Sequence, residues 1–244
     1  MKKIRLDQLL VEKGLAESRE KAKRLVLAGQ VLIDGHPAPK PGHPVTPDHK
    51  IEIKKTERFV SRGGEKLEGA MEAFNLDLTD RICLDIGSST GGFTDCMLQH
   101  GATKVYAIDV GKGQLHWKLR EDERVVVMEG VNARYLTPED ISEPADFASI
   151  DTSFISLTKI LPAVKGLIKP GGHIVSLIKP QFEAGKQEVD KGRGVITDPS
   201  IHEEVISKVR NFGTEELKLK WINLATSPIK GPKGNIEFLA YWQN

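Results

Sequence analysis

Two cysteines in 244 residues exclude a disulfide framework and a multi-cysteine metal centre. Cys83 falls in an apolar run and Cys96 in a helical pattern. Their spacing matches no redox or metal motif, so both are expected as reduced core residues, and no metal is expected. No apolar run approaches the ~20 residues that would span a bilayer. The amino terminus, Met1-Lys2-Lys3-Ile4-Arg5, carries positive charge without the apolar core of a signal peptide. Neither sign of charge dominates, the formal net charge being +1. With 39% hydrophobic and 28% charged residues, the composition predicts a soluble, cytoplasmic globular protein. The dinucleotide fingerprint G-x-G-x-x-G is also missing, which argues against a dehydrogenase.

The near-zero net charge conceals an asymmetry. Residues 1–55 hold 12 lysines and arginines against 7 acids, while the remainder holds 23 against 27. A basic module joined to a mildly acidic domain points to a polyanion grip separate from a small-molecule site. Leu6, Leu9 and Leu10 mark a short amphipathic helix stopping at Gly14. Ser18 caps a second, with Ala22, Leu25 and Val26 turned inward and Arg19, Lys23 and Arg24 outside. Strands follow at Val31–Asp34 and Lys50–Ile53, with an irregular proline-rich segment between them. The block resembles the small RNA-binding domain found in a ribosomal small-subunit protein, in pseudouridine synthases and in tRNA synthetases. That resemblance implies RNA contacts by Arg5, Arg19, Lys23 and Arg24. The alternative is a solvated helix face with a Glu20–Arg24 pair.

What is present in the larger part is a glycine corner. Leu84-Asp85-Ile86-Gly87-Ser88-Ser89-Thr90-Gly91-Gly92-Phe93-Thr94-Asp95 reads as a buried strand turning sharply into a helix. The spacing Gly87-x-x-x-Gly91-Gly92, with an acid two positions before the first glycine, suits a cationic ligand better than a pyrophosphate. S-adenosylmethionine is the candidate. Val105–Asp109 predicts the next parallel strand, ending in an acid 22 residues after Gly87, where Rossmann-like folds grip ribose hydroxyls.

Domains are therefore expected at 1–55 and 61–244, with a polar linker at 56–60. After the linker, a helix near 64–74 precedes strands near 82–87, 105–109, 125–129, 146–151 and 172–179. Helices near 91–100, 113–120, 156–168 and 200–211 separate them, consistent with right-handed parallel crossovers. Strands 217–225 and 235–242 lie too close for a helical crossover and should pair antiparallel. The fold class expected is α/β: a Rossmann-like, seven-stranded methyltransferase sheet with a small α+β amino-terminal domain.

Asp109, Asp151 and Lys179 fall at strand carboxyl ends, where such sheets bind ligands. A lysine ending an apolar strand is unusual unless paired, and Asp151 at the neighbouring strand end supplies a partner. Asp151-Thr152-Ser153-Phe154 lacks the Asn/Asp-Pro-Pro-aromatic run of base-amine methylation, and neither cysteine is placed for cytosine C5 chemistry. A lysine with a carboxylate suits activation of a hydroxyl instead.

Ser61-Arg62-Gly63-Gly64-x-Lys66-Leu67, the Leu84–Asp95 corner, Asp151-x-Ser153-Phe154-Ile155-Ser156-Leu157, Ile178-Lys179-Pro180-Gln181-Phe182-Glu183 and Gly234-Asn235-x-Glu237 together resemble the hemolysin A (TlyA) family over essentially the whole chain. That resemblance implies an FtsJ-like domain performing 2′-O-methylation of cytidine in ribosomal RNA, free or within a ribosomal subunit. It also implies a catalytic tetrad of Lys66, Asp151, Lys179 and Glu237. The cofactor would lie over Asp85, Gly87, Ser89, Thr90, Gly91, Gly92 and Phe93, with Asp109 and Val110 at its ribose and Asn132 near its adenine. Lys179 would orient the hydroxyl and stabilise its alkoxide or accept its proton, with Glu237 positioning Lys66 or the ribose. Two other classes compete. The family name suggests a membrane-lysing protein, for which the sequence offers no spanning segment; a non-catalytic assembly factor would need no intact tetrad.

Overall fold

The computed structural model describes residues 3–54 and 58–244. Positions 55–57, which include the start of the expected linker, lie outside the described residues. The chain divides into two compact units, Met1–Arg58 and Phe59–Asn244.

In the first unit, helices Leu6–Glu12 and Arg19–Leu27 pack over a three-stranded sheet in which Val31–Ile33 lies between His36–Pro37 and Ile51–Ile53. The Ser18 hydroxyl accepts from Lys21 N at 3.2 Å, which starts the second helix. Leu6, Leu9, Leu10, Ala22, Val26, Val31 and Val45 form the core. Asp7 is fully buried among them. Arg5 grips it with two hydrogen bonds, of 3.0 and 2.7 Å, and Arg19 approaches to 3.5 Å. The Arg5 hydrogen bond and charge hold the Asp7 carboxyl below the usual carboxylate range. Arg5 and Arg19 thus face a buried carboxylate as well as solvent. Glu20 pairs with Lys23 at 2.7 Å, one position short of the expected Arg24.

The second unit is a seven-stranded sheet. Its strands are β1 (Ile82–Ile86), β2 (Lys104–Asp109), β3 (Val125–Glu129), β4 (Ala145–Ile150), β5 (Ile168–Ile178), β6 (Lys220–Thr226) and β7 (Phe238–Gln243). The order across the sheet is β6-β7-β5-β4-β1-β2-β3. β1 to β5 run parallel, and β7 inserts antiparallel between β5 and β6. This is the expected topology, terminal hairpin included.

The helices are α1 (Gly63–Phe74), α2 (Gly92–Gln99), α3 (Trp117–Arg120), α4 (Leu161–Leu167), α5 (Pro180–Glu183), α6 (Lys186–Lys191) and α7 (Pro199–Asn211). One core cluster joins Leu84, Ile86, Ile108, Ile150, Leu161 and Trp242; another joins Leu67, Cys83, Phe93, Met97, Phe147 and Leu239. Both cysteines are buried and neither is in a disulfide. Among the described residues, no helix is long and apolar enough to cross a membrane.

The helix expected over 113–120 shrinks to its last turn. Gly113 sits at φ +71°, outside helical geometry, and His116 is extended. The amides of Gly113, Gln114 and Leu115 instead donate to the Glu129 side chain at 2.9, 3.1 and 3.4 Å. Those bonds, Gly113 first, with the Arg120 ion pair, pull the Glu129 carboxyl down to about 2. The short helices α5 and α6 have no counterpart in the sequence reading, because fewer than two turns carry no legible period.

Candidate active site

Residues alternate faces along β1, so Asp85 shares the face of Cys83, toward α2, and not that of Leu84 and Ile86. There its carboxylate accepts from Thr94 Oγ1 at 2.6 Å and from Ser149 Oγ at 3.3 Å, with no exposure to solvent. Burial raises its pKa to about 7; the hydroxyl of Thr94 opposes the rise and the charge of Asp151 adds to it. The sequence assigned Asp85 to the ligand, but its side chain is held behind the corner and braces it.

Gly87 leaves the strand at φ +85°. A Cβ there would stand 2.6 Å from the Asp151 carbonyl oxygen, so only glycine lets the ends of β1 and β4 approach this closely. Gly92 makes a second close approach: a Cβ on it would meet Ser61 Oγ at 2.4 Å and Gly64 N at 2.7 Å. The first turns of α1 and α2 therefore touch backbone to backbone, which places Lys66, one turn further along α1, beside the corner. Asp95 Oδ2 accepts from Val60 N at 2.8 Å and fastens the segment leading into α1.

A cavity of about 890 Å3 opens over this corner, within the size of small-molecule sites. Its lining includes Gly87, Ser89, Thr90, Gly92 and Phe93 of the corner together with Lys66, Asp151, Lys179 and Glu237. The four charged residues come from α1 and from the ends of β4, β5 and the β6–β7 connection. Lys66 Nζ lies 2.7 Å from Glu237 Oε2 and 3.6 Å from Asp151 Oδ2, and Lys179 Nζ lies 2.5 Å from Asp151 Oδ1. Glu237, Lys66, Asp151 and Lys179 thus form one alternating, formally neutral row. Lys66, Lys179 and Glu237 are buried and Asp151 is partly so, and such charges persist only when paired in this way.

Several neighbours carried no assigned role in the sequence. Lys179 Nζ donates to Ser153 Oγ at 3.1 Å, and Gln181 Nε2 donates to Glu237 Oε1 at 3.3 Å. Phe154 is 91% exposed at the mouth, held at φ +62°, with its ring 5.0 Å from that of Phe182. All four stand inside motifs of the family pattern, but hydropathy gives such polar or solvent-facing positions no periodic signal.

Gly91, Asp109, Val110 and Asn132 lie outside the cavity lining. Gly91, at φ +95°, packs against Leu115 and Leu119. Asp109 accepts from Ser89 N at 2.8 Å and Gly111 N at 2.7 Å, one bond per oxygen. Each oxygen keeps a lone pair for a ligand hydroxyl, so the residues present fit an adenosyl ribose. Val110 is exposed, and the Asn132 side chain caps Ala133–Tyr135 by accepting from Arg134 N. Among the described residues, Glu68, Cys96 and His100 bring donor atoms within 4.8 Å of one another, a spacing compatible with a metal ion, away from this cavity.

Comparison with known proteins identifies the family of each unit. Residues 59–244 match the FtsJ-like methyltransferase family and residues 4–51 the S4 domain. The chain is 46% identical to the 16S/23S rRNA (cytidine-2′-O)-methyltransferase TlyA of Mycobacterium tuberculosis, over 98% of this chain and 90% of that protein. It is 45% identical to hemolysin A of Brachyspira hyodysenteriae, over 98% and 99%. The solved structure of a "putative hemolysin" from Streptococcus thermophilus superposes with a TM-score of 0.76 at 48% identity, over 100% of this chain and 89% of that one. The chain belongs to the FtsJ-like methyltransferases, in the hemolysin A (TlyA) family that joins this domain to an S4 domain.

Proposed function

We propose that this cavity methylates the 2′-hydroxyl of a cytidine ribose in ribosomal RNA. The observation that carries the reading is the paired row Glu237–Lys66–Asp151–Lys179, which lines the same cavity as the Gly87–Phe93 corner. The names of relatives such as the TlyA enzyme of M. tuberculosis support the same reading.

S-adenosylmethionine, when bound, supplies an electrophilic methyl group. Gly87, Ser89, Thr90, Gly92 and Phe93 would hold it, with Asp109 on its ribose. The protein's task is then to align an acceptor oxygen and manage its proton. An ammonium has three donors. Lys179 gives one to Ser153 Oγ and pairs its charge with Asp151, which leaves a donor for a bond to the ribose oxygen. That bond orients the hydroxyl and stabilises the negative charge growing on oxygen. Asp151, the carboxylate of the pair, receives the hydroxyl proton, since the Lys179 ammonium has no free lone pair. Lys66 steadies Asp151 from the other side, and Glu237, held by Gln181, steadies Lys66. The exposed Phe154 ring, beside Phe182, offers a stacking face for a base of single-stranded or extruded RNA.

The S4 unit supplies affinity through phosphate contacts by Lys23 and Arg24, with the outer edges of Arg5 and Arg19. Ribosomal RNA, free or within a ribosomal subunit in the cytoplasm, is the substrate in this reading, and no membrane takes part. The test is to incubate purified protein and S-adenosylmethionine with ribosomal RNA or subunits, digest to nucleosides and identify the product by mass spectrometry. The reading predicts 2′-O-methylcytidine; base-methylated nucleosides, or no methylated product, would overturn it.

A further inference from the structure

Lys179 and Asp151 sit at the ends of neighbouring strands, Lys179 leading into the short helix α5 and Asp151 into a loop. The residues after Lys179 form α5, and those after Asp151 run in a loop to the 3₁₀ turn Leu157–Lys159. Near the cavity the two are joined by Lys179–Asp151, by Lys179–Ser153 and by the Phe154–Phe182 ring contact.

A second junction lies away from the cavity lining, at Glu183. Its side chain is buried, the whole residue being 4% exposed. One carboxylate oxygen accepts from Ser156 Oγ at 2.6 Å and the other from Leu157 N, also at 2.6 Å. Lys208 of α7 donates to the Glu183 carbonyl at 2.8 Å and stands 3.9 Å from its carboxylate, which fixes the glutamate to the body of the domain. The loop from Asp151 to Leu157 is therefore pinned at both ends, and between the pins Phe154 holds a left-handed backbone. A non-glycine residue keeps that conformation only where its surroundings over-determine it.

We infer that Glu183 is a positioning residue for methyl transfer. By clamping Ser156 and Leu157 to the chain that carries Lys179, it sets the separation of Asp151 from Lys179 and the pose of Phe154. The inference rests on the reaction proposed above. Glu183 lies outside the cavity lining, so it acts through geometry alone, and misplacement by about 1 Å can cost on the order of a hundredfold in rate.

The test compares Glu183→Ala, Glu183→Gln and Ser156→Ala with the parent protein by single-turnover methylation at saturating S-adenosylmethionine and RNA, cofactor binding, and amide hydrogen exchange of the 152–158 segment. Glu183→Ala should slow transfer about tenfold to a hundredfold, leave cofactor affinity within about twofold because the glycine corner is untouched, and lose protection at the Leu157 amide. Glu183→Gln should recover most of the rate, since its amide oxygen still accepts from Leu157 and its amide nitrogen can donate to Ser156. Ser156→Ala should have little further effect in the Glu183→Ala background, as expected for members of one junction. The inference is overturned if transfer is unchanged when Leu157 protection is lost, or if rate and cofactor binding fall together as in general unfolding. Should Glu183→Ala not fold, Glu183→Gln and Ser156→Ala carry the same comparison. An inactive parent would overturn the reaction instead. The exchange comparison would then decide the junction, retained protection in Glu183→Ala overturning it and lost protection supporting it.

Discussion

Lys66 and Glu237, 171 positions apart in sequence, meet in a buried ion pair of 2.7 Å at the edge of the cavity. Removing one partner of such a pair strands the other charge in a poorly solvated place, at a cost of roughly 3–5 kcal/mol. Lys66→Ala should therefore lower the melting temperature of the protein as well as abolish methyl transfer. The double substitution Lys66→Met/Glu237→Gln should recover stability without activity. Calorimetry with a methylation assay separates the two effects, and a double variant that stays as unstable as Lys66→Ala would count against the pairing.

Lys179→Ala should retain S-adenosylmethionine binding but lose transfer, because the lysine serves the acceptor side of the cavity. Lys179→Arg should fail as well, since a planar guanidinium cannot replace a compact ammonium between Asp151 and Ser153. Isothermal titration with cofactor and a transfer assay on the same preparations check both, and full activity in either variant contradicts the mechanism.

Gly87→Val should disturb more than the cofactor. A side chain at φ +85° is strained, and its Cβ would push on the Asp151 carbonyl 2.6 Å away. Cofactor binding should be lost and the methyltransferase unit destabilised, while the S4 unit remains folded. Unchanged cofactor affinity in a folded Gly87→Val protein would contradict the assignment of the corner.

Asp85 gives the fold a pH dependence of definite sign. Its pKa is about 7 in the folded protein against 3.8 for the ordinary carboxyl, so between those values the folded state holds more protons than the unfolded one. This contribution to stability is full below about pH 4, declines as pH rises and levels off above about 7. Asp85→Asn should flatten that part of the profile in denaturant titrations run from about pH 5 to 8. A variant whose stability follows the same pH slope as the parent would show that another group is responsible.

Much of this site is legible in the sequence, for reasons that differ by residue. The strand order follows from apolar runs alternating with helical patterns, and Gly87, Gly92 and Asp109 follow from their spacing. Asp151 and Lys179 stand out as charges ending apolar strands. Lys66 and Glu237 have no such local signal; only the family pattern links residues so far apart. Asp85 shows the limit of spacing arguments: the motif locates the corner, but strand alternation turns the carboxylate away from the cavity. Ser153 and Gln181 act through single hydrogen bonds and the Glu183 carboxylate through two, all formed only after folding, which leave no trace in periodicity.

The S4 unit offers a prediction that the structure sharpens. Lys23 and Arg24 stand on the second helix, while Arg5 and Arg19 also neutralise buried Asp7. Lys23→Glu/Arg24→Glu should weaken RNA binding and flatten its salt dependence by about 0.7–0.9 log units for each phosphate the protein no longer neutralises, without unfolding the unit. Arg5→Ala should destabilise the unit itself, because it removes the main partner of Asp7. Filter binding across salt concentrations, with thermal melts of the same variants, distinguishes RNA contacts from a face that only meets solvent; unchanged affinity and slope in the double reversal would favour the latter.

The most direct test of the central claim is a nucleotide-resolution map of ribose methylation in ribosomal RNA from cells that lack this gene and are complemented with the parent protein or with Lys179→Ala. The account predicts a cytidine 2′-O-methyl mark that disappears with the gene, returns with the parent protein and stays absent with Lys179→Ala. An unchanged methylation map on deletion, or a mark restored equally by Lys179→Ala, would contradict it.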